Sequence, residues 1–107
     1  MIQRSWRARA IPDRASMYVE HLTNDVRPKL EQLDGFLGLV FSQRRDGDEV
    51  ELVVQTYWAS MQAIEQFAGP MADVAVVEPE ARAVLTSFDP TVQHHEVLMS
   101  TLAMRVR

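Results

Sequence analysis

Hydrophobic and polar residues alternate along the first ten positions of the chain. One side of this segment carries Ile2, Trp6, Ala8 and Ala10, together with a single charged residue, Arg4. An alternation with a period of two is typical of a β-strand that buries one face. Residues 2–10 are therefore predicted to form a first strand, with Arg4 on its apolar side.

A long helix is predicted to follow this strand. Pro12 and Asp13 are residue types that favour the first turn of a helix. Helical spacing then connects the apolar residues Ala15, Tyr18, Val19, Leu22, Val26, Leu30 and Leu33. Pro28 interrupts the run, so we expect a kink or a short second piece there. Gly35 is expected to end the helix.

The middle of the chain predicts a β-hairpin followed by a helix. The segments "FLGLVFSQRR", residues 36–45, and "EVELVVQTYW", residues 49–58, are rich in strand-forming residues. The "DGD" sequence between them is a strong signal for a tight turn. A short helix is predicted over residues 60–67, with Ser60 as its N-cap.

The second half of the chain is less regular. Residues 70–79 show no clear period. Residues 80–88 predict a further helix, because one helical face carries Ala81, Val84, Leu85 and Phe88. The segment "TVQHHEVLM", residues 91–99, predicts a fourth strand, and residues 100–107 are expected to form a tail.

The order of these elements predicts the fold. Two strand–helix–strand units joined by a hairpin give an α+β, ferredoxin-like split β-α-β arrangement, with a four-stranded antiparallel sheet and helices on one face. A chain of 107 residues is expected to form a single domain, residues 1–107.

The second face of the predicted sheet also has apolar positions. In the second strand Phe36 and Val40 fall on the side opposite Leu37, Leu39 and Phe41. In the third strand the corresponding face contains Val53 and Tyr57. A contiguous apolar patch is normally covered, and an identical sheet is a simple cover. We therefore expect a homodimer formed through the sheet faces.

Composition excludes several classes of function. The formal net charge is −4 and no basic residues cluster, which argues against nucleic-acid binding. The chain has no cysteine, so disulfides, thiolate catalysis and cysteine-based metal sites are excluded. No segment approaches the roughly 18 apolar residues that cross a bilayer, and the first ten residues lack a signal-peptide core. We expect a cytoplasmic protein without a membrane partner.

Three segments carry a family resemblance. The sequences "LDGFLG", "TYWASMQAIEQF" and "TVQHHEV", in this order of elements, resemble the antibiotic biosynthesis monooxygenase domain of the dimeric α+β barrel superfamily. The resemblance covers approximately residues 2–99. It implies a homodimer whose sheets form a barrel, with a pocket in each subunit between sheet and helices.

The resemblance also implies a reaction. Relatives include cofactor-independent monooxygenases that oxidise phenolic polyketides to quinones, in which the deprotonated substrate itself donates an electron to dioxygen. Such a protein holds its substrate away from water, promotes deprotonation and stabilises the anion. The implied partner is therefore a small hydrophobic molecule, aromatic or quinol-like, and no cofactor is implied.

Several positions depart from the relatives. Quinone-forming members carry Asn and Tyr where this chain has Val54 and Ile64, and only Trp58 of that trio is present. Haem-degrading members carry an Asn near the position of Trp6 and a His after the tryptophan, whereas no His lies between Trp58 and Asp89. Haem degradation is therefore not expected, and the quinone-forming residues are not carried over.

The tryptophans and Arg4 are candidate binding residues. Trp58 lies where a strand meets a helix, so we expect it to pack in the core, to form a pocket wall with Trp6 and Val54, and to be a catalytic candidate. Arg4 has two interpretations. Its guanidinium either reaches water from the strand end or holds the anionic oxygen of a phenolate or carboxylate.

The histidines are the candidate bases, because imidazole titrates near neutral pH. His94 and His95 are adjacent in a strand and face opposite sides, so they cannot share a metal ion. His94 and Glu96 share a side without a third ligand, and no metal site is predicted. Either His94 or His95 is expected to take the substrate proton. His21 is expected to be solvated on the outer face of the first helix.

Three functions fit these observations. The first is a cofactor-independent monooxygenase that acts on a small aromatic or quinol-like substrate. The second is a non-catalytic module of the same fold that binds a small molecule. The third is a lactone isomerase or another proton-transfer enzyme.

Overall fold

The computed structural model describes residues 1–103 of the chain, so the end of the expected tail, residues 104–107, lies outside the described residues. The elements follow in the order β1 (Ile2–Ala10), α1 (Pro12–His21), a π-helical turn (Leu22–Val26), α2 (Arg27–Glu31), β2 (Phe36–Asp46), β3 (Glu49–Trp58), α3 (Met61–Ala68), α4 (Pro79–Val84), β4 (Ser87–Phe88) and β5 (Gln93–Glu96).

The strands form one antiparallel sheet with β1 near its centre. The strand order is β2-β3-β1-β4, and β5 also pairs with β1. Because β3 occupies one edge of β1, both β4 and β5 lie along the other edge. The α+β, ferredoxin-like fold with an antiparallel sheet is thus confirmed.

The predicted fourth strand is divided in two. Strand β5 covers Gln93–Glu96 rather than residues 91–99, and β4 pairs with the other end of β1. Between them the chain turns toward the preceding loop, where Thr91 pairs with Val74 and the Val92 amide donates to the Asp73 carbonyl at 2.8 Å. This pairing with the loop interrupts the strand.

The predicted helix over residues 80–88 is too long. Helix α4 ends at Val84, and Phe88 lies in β4 opposite Ala8 of β1. The Thr86 amide donates to the Arg9 carbonyl at 2.7 Å. Pairing with the edge of β1 thus satisfies backbone groups that a longer helix would have satisfied, and it overrides the local helical spacing.

Pro28 produces the expected second piece of helix. A π-turn, Leu22–Val26, precedes α2, and the Arg27 amide donates to the Leu22 carbonyl five residues earlier. Proline has no amide proton and clashes with the carbonyl four residues before it. The wider turn accommodates Pro28 while the apolar stripe continues through the buried residues Leu22 and Leu30.

A β-bulge in β2 moves Phe36 away from the sheet face on which the sequence predicted it. Phe36 pairs with Trp58 but Gly38 pairs with Tyr57, so Leu37 is an extra residue. The bulge reverses the side-chain alternation. Phe36 therefore faces the helices, where it is 3% exposed and its ring centroid lies 5.3 Å from that of Trp58. It does not belong to the open face.

The open face of the sheet is consequently mostly polar. Cross-strand partners share a face, and the register places on this face Gln3, Ser5, Arg7, Arg9, Val40, Ser42, Arg44, Glu51, Val53, Gln55, Tyr57, Gln93 and His95. The helix face carries the core instead. Two clusters of buried residues lie there, one around Trp6 and Tyr18 and one around Trp58 and Ile64.

Candidate functional site

A cavity lies between the sheet and the helices. Its empty space, including the part open to solvent, amounts to about 630 Å³. The sheet contributes Arg4, Trp6, Val54 and Thr56 to its lining; the helices contribute Tyr18, His21, Leu22, Val26, Leu30, Phe67 and Ala81; and the loop before α4 contributes Val76, Val77 and Glu78.

Arg4 places a positive charge on the floor of this cavity. The residue is only 6% exposed, and Nη2 donates to the carbonyl oxygens of Ala72 and Val74 at 3.3 and 3.2 Å. The guanidinium also lies over the Phe67 ring, 5.6 Å from its centroid. The interpretation in which Arg4 reaches water is wrong, because pairing of β1 with β5 and the loop at residues 72–74 encloses the side chain.

The buried guanidinium retains unused hydrogen-bonding capacity. Its Nε is buried and has no partner among the described residues. Burial lowers the pKa of Arg4 to about 10, and the nearby Asp73 carboxylate partly opposes that effect. A buried cation with an unpaired donor is costly, and an anionic ligand oxygen is the group that would compensate it.

Trp6 forms a wall of the cavity and Trp58 does not. Trp6 is 8% exposed, its ring packs against Tyr18 and Phe88, and its indole N–H donates to the Asp89 carbonyl at 2.7 Å. Trp58 has no exposed surface and lies outside the cavity lining. Its indole N–H donates to the Thr56 hydroxyl oxygen at 2.9 Å. Its ring also stacks on that of Phe67, with a centroid distance of 6.1 Å. Trp58 therefore contacts the cavity lining indirectly, through Thr56 and Phe67.

Tyr18 provides a neutral hydroxyl on the helical side. Its ring packs between Trp6 and Phe41, with centroid distances of 6.1 and 5.8 Å. Burial raises the pKa of Tyr18 well above its ordinary value, and the negative charge of Glu78 adds to the effect. The phenol therefore remains protonated at neutral pH and can donate a hydrogen bond to a ligand.

His21 lines the cavity, in contrast to the expectation that it is solvated. Its side chain is 9% exposed, Nδ1 lies 3.1 Å from the Asp25 carboxylate, and Nε2 lies 4.0 Å from Glu78. The expectation was wrong because the π-turn after α1 and the loop carrying Glu78 enclose the ring. A carboxylate on Nδ1 orients an imidazole and leaves Nε2 to take a proton.

His94 and His95 lie outside the cavity lining. His94 faces the helical side at the sheet edge, opposite Arg4 across the strand pair, and its Nδ1 lies 3.1 Å from the Asp73 carboxylate. Its Nε2 is buried without a partner among the described residues. His95 lies on the open face, opposite Gln3. The predicted opposite orientation of the two rings agrees with this register.

The cavity thus brings together Arg4, Trp6 and Val54 from the predicted set and adds His21 and Thr56. A polar residue at alternate spacing with Val54 and Trp58 was the available signal for Thr56. His21 had a weaker one, since it lies three residues after Tyr18 on the helical spacing of the core. Neither signal distinguishes a cavity wall from ordinary packing.

A comparison with known protein families shows the family of this chain. The sequence model of the antibiotic biosynthesis monooxygenase family matches residues 1–69, which is more than half of the chain. The chain belongs to this family. Its members include monooxygenases and haem-degrading enzymes. A search of curated proteins finds no significant match.

Solved structures share the fold of this family member over nearly its whole length. A Bacillus cereus protein assigned as an antibiotic biosynthesis monooxygenase is 18% identical, with a TM-score of 0.66, covering 95% of this chain and 97% of its own. The haem-degrading MhuD of Mycobacterium tuberculosis, with two haems in its active site, is 23% identical, with a TM-score of 0.58 and coverages of 94% and 99%.

A variant of MhuD with two manganese protoporphyrins per active site is 21% identical, with a TM-score of 0.59 and coverages of 96% and 100%. At these identities the likeness describes the fold alone. Within residues 1–103 no group of three or more His, Asp or Glu side chains is arranged to hold a metal ion. No helix in the same range is long and apolar enough to span a membrane.

Proposed function

We propose that this chain binds a small aromatic molecule with an ionisable oxygen in the cavity and oxidises it with dioxygen, without a cofactor. The observation that carries the proposal is the buried Arg4 guanidinium on the floor of a largely apolar cavity. Apolar and aromatic walls suit a ring system. The guanidinium suits a phenolate or carboxylate oxygen.

Arg4 stabilises the deprotonated substrate. Because the side chain is held by two backbone carbonyls and lies against Phe67, its charge is already in place before the ligand enters. Preorganised charge in a site that excludes water is the main means by which proteins stabilise an anion. The electron that reduces dioxygen then comes from the bound anion.

His21 is the proton acceptor in this proposal, in place of His94 or His95. It is the histidine in the cavity lining, and Asp25 orients its ring. A base must lie within reach of the proton that it removes, and His95 lies on the other face of the sheet. His94 contacts Asp73 at the sheet edge, outside the lining.

The overall reaction needs no external reductant. Oxidation of a phenol to a quinone at a ring C–H consumes one dioxygen, places one oxygen atom on that carbon and releases the other as water; the two hydrogens come from the O–H and the ring C–H. The substrate supplies all four electrons and both hydrogens of that water. The protein therefore contributes binding, deprotonation and exclusion of solvent.

Haem, which the MhuD structures contain, fits this chain poorly. Iron in a porphyrin needs a protein nitrogen or another axial ligand. The histidine of the cavity lining, His21, has Asp25 beside one ring nitrogen and Glu78 near the other. In this proposal the Nε2 atom takes the substrate proton, and the cavity lining formed by the described residues contains no second histidine. We therefore do not extend haem binding to this chain.

We also propose a homodimer formed through the open sheet faces. The open face carries fewer apolar residues than the sequence predicted, because Phe36 lies in the core. Val40, Val53 and Tyr57 are the apolar residues among the open-face positions given above. Arg44 and Glu51 on the same face pair with each other within the chain, at 3.5 Å, which lowers the cost of covering their charges with a second sheet. The family resemblance points to the same arrangement.

The first test is dioxygen consumption by the purified, metal-free protein with a panel of naphthoquinols and anthrols. The expected result is uptake above the autoxidation rate, lost in Val54→Phe, which fills the cavity from its floor. Uptake equal to the blank across the panel contradicts the oxidation. Product formation without dioxygen then indicates a proton-transfer enzyme, and binding without turnover indicates a binding module.

A further inference from the structure

Thr56 is a second polar group on the floor of the cavity, directly beside Arg4. The two residues are cross-strand partners in β1 and β3, so their side chains leave the same face of the sheet as neighbours. Thr56 is 7% exposed and lines the cavity together with Arg4. A buried hydroxyl at this position needs partners on both its oxygen and its proton.

The hydroxyl oxygen of Thr56 already has a partner. The Trp58 indole N–H donates a hydrogen bond to this oxygen at 2.9 Å. The direction of the bond is certain, because an indole nitrogen can donate a hydrogen bond but cannot accept one. While it accepts this bond, the hydroxyl keeps its own proton to donate. Thr56 lines the cavity and can direct that proton to a ligand there, on the same side of the sheet as the buried, unpaired Nε of Arg4.

We propose that Arg4 and Thr56 form an oxyanion subsite that selects aromatic acids and ionised phenols over neutral aromatic molecules of the same shape. Trp58 is its positioning residue. The inference rests on the proposed function for the location of the ligand in the cavity and for the contact of its anionic oxygen with Arg4. It assigns a substrate class to that site and a role to the tryptophan that packs beneath it.

The surroundings favour an anion over a neutral acceptor. Both groups are donors, and one of them carries a full charge in a buried position, where electrostatic attraction is stronger than in water. Asp73, the carboxylate that interacts electrostatically with Arg4, has a side chain that is 82% exposed, so it compensates the charge only in part. A neutral carbonyl oxygen accepts hydrogen bonds but leaves the buried charge without a counter-ion.

Two probes of matched shape test the subsite: 2-naphthoate, which carries a carboxylate, and 2-acetonaphthone, which carries a neutral carbonyl. Affinities are measured by isothermal titration at pH 7 for the wild type, Thr56→Val, Thr56→Ser and Trp58→Phe. The wild type is expected to bind 2-naphthoate at least tenfold more tightly. Thr56→Val should lose about tenfold of that preference, and Thr56→Ser should retain it.

Trp58→Phe separates positioning from packing. Without the indole N–H the Thr56 hydroxyl is free to turn away, so the preference for 2-naphthoate should fall severalfold. The affinity for 2-acetonaphthone should fall less than that for 2-naphthoate, because the stacking on Phe67, which supports the cavity wall for both probes, is kept by a phenylalanine ring while the indole N–H is lost. If this core substitution prevents folding, the Thr56→Val and Thr56→Ser pair decides.

Three results overturn the subsite: equal affinity of the wild type for both probes, an unchanged preference in Thr56→Val, or no binding of either probe. Failure of the oxidation has a different signature. If the preference is present and depends on Thr56, while ionisable phenols consume no dioxygen, the subsite is retained and the proposed reaction is rejected.

Discussion

The protonation of Arg4 links the chemistry of the cavity to pH. Burial lowers the pKa of this residue to about 10, so the guanidinium loses its proton in a range where an exposed arginine keeps it. The charged form exists below that pH and disappears as the pH rises through it. Anion binding should follow the same direction.

We therefore expect the affinity for 2-naphthoate to be constant between pH 7 and 9 and to fall as the pH rises through about 10, measured by isothermal titration. The affinity for 2-acetonaphthone should not follow this change. Asp73→Asn removes the negative charge that opposes the effect of burial, so its midpoint should lie lower. A wild-type affinity that stays constant to about pH 11 contradicts the role of Arg4.

The choice of base is a second prediction at the residue scale. His21→Gln should reduce the rate of dioxygen consumption about 10²-fold or more, because it removes a base from the cavity. His95→Gln, on the open face, should leave the rate near that of the wild type. Initial rates of dioxygen consumption, measured with an oxygen electrode at saturating substrate, distinguish the two variants. The reverse order of effects restores the assignment made from the sequence.

Two glycines test how tightly the elements are joined. Gly35 lies between α2 and β2 at a φ of 84°, and a Cβ there would come 2.7 Å from the Ala63 Cβ of α3. Gly47, in the hairpin turn, has a φ of 63° and nothing within 4 Å of an added Cβ. Both positions favour glycine, but only Gly35 also requires the space.

Gly47→Ala should cost about 1–2 kcal/mol of unfolding free energy, from the left-handed backbone alone. Gly35→Ala should cost about 2–5 kcal/mol, because overpacking against α3 adds to the same backbone strain. Urea denaturation of the two variants measures the difference. Equal losses would mean that α3 shifts freely away from the turn.

An ion-pair cluster joins the hairpin to β1. Arg9 lies 2.8 Å from Asp46 and 2.9 Å from Glu49. The hydrogen bond and charge of Arg9 hold the pKa of Asp46 below its usual range. A carboxyl group of this kind stabilises the fold above its unfolded-state pKa, and the contribution disappears as the pH falls through the folded-state value.

Asp46→Asn is therefore expected to lower the urea midpoint at pH 7, by a small amount because the pair is exposed. Wild type and variant should converge as the solution is acidified below the usual range of aspartate. Glu80→Gln removes a carboxylate outside this ion-pair cluster, in the first turn of α4, and serves as the control for the loss of one negative charge. A difference between wild type and Asp46→Asn that persists in acid excludes this ion pair as its cause.

At the scale of the whole molecule, the homodimer proposed through the open sheet face predicts the mass of the protein in solution. The protein should elute in size-exclusion chromatography with light scattering at twice the mass of one chain. Val53→Lys, in the middle of the open face, should shift it to the mass of one chain. Met17→Lys, on the exposed side of α1, should not. A monomeric wild type rejects the dimer.

Much of the architecture follows from local patterns along the sequence. Alternation predicts β1, "DGD" predicts the hairpin turn, and Ser60 caps α3, where its hydroxyl oxygen accepts the Ala63 amide at 3.2 Å. Each of these signals depends on near neighbours in the chain. They are strong because backbone geometry and hydrogen bonding within a few residues suffice to produce the element.

The sequence also determined some chemistry on its own. Arg4 on an apolar strand face is unusual in any fold, because a buried charge needs compensation. The absence of cysteine excludes thiolate chemistry. The opposite orientation of His94 and His95 follows from the two-residue repeat of a strand. These properties hold before any contact between distant segments is known.

Only the tertiary structure decided where Phe36, His21 and Trp58 lie. The bulge at Leu37 turns Phe36 into the core, and the loop before α4 encloses His21. Trp58 lies under the floor of the cavity rather than in its wall, and its indole N–H donates a hydrogen bond to Thr56. Each placement depends on register and on contacts between residues far apart in the chain, and a local pattern carries no information about such contacts.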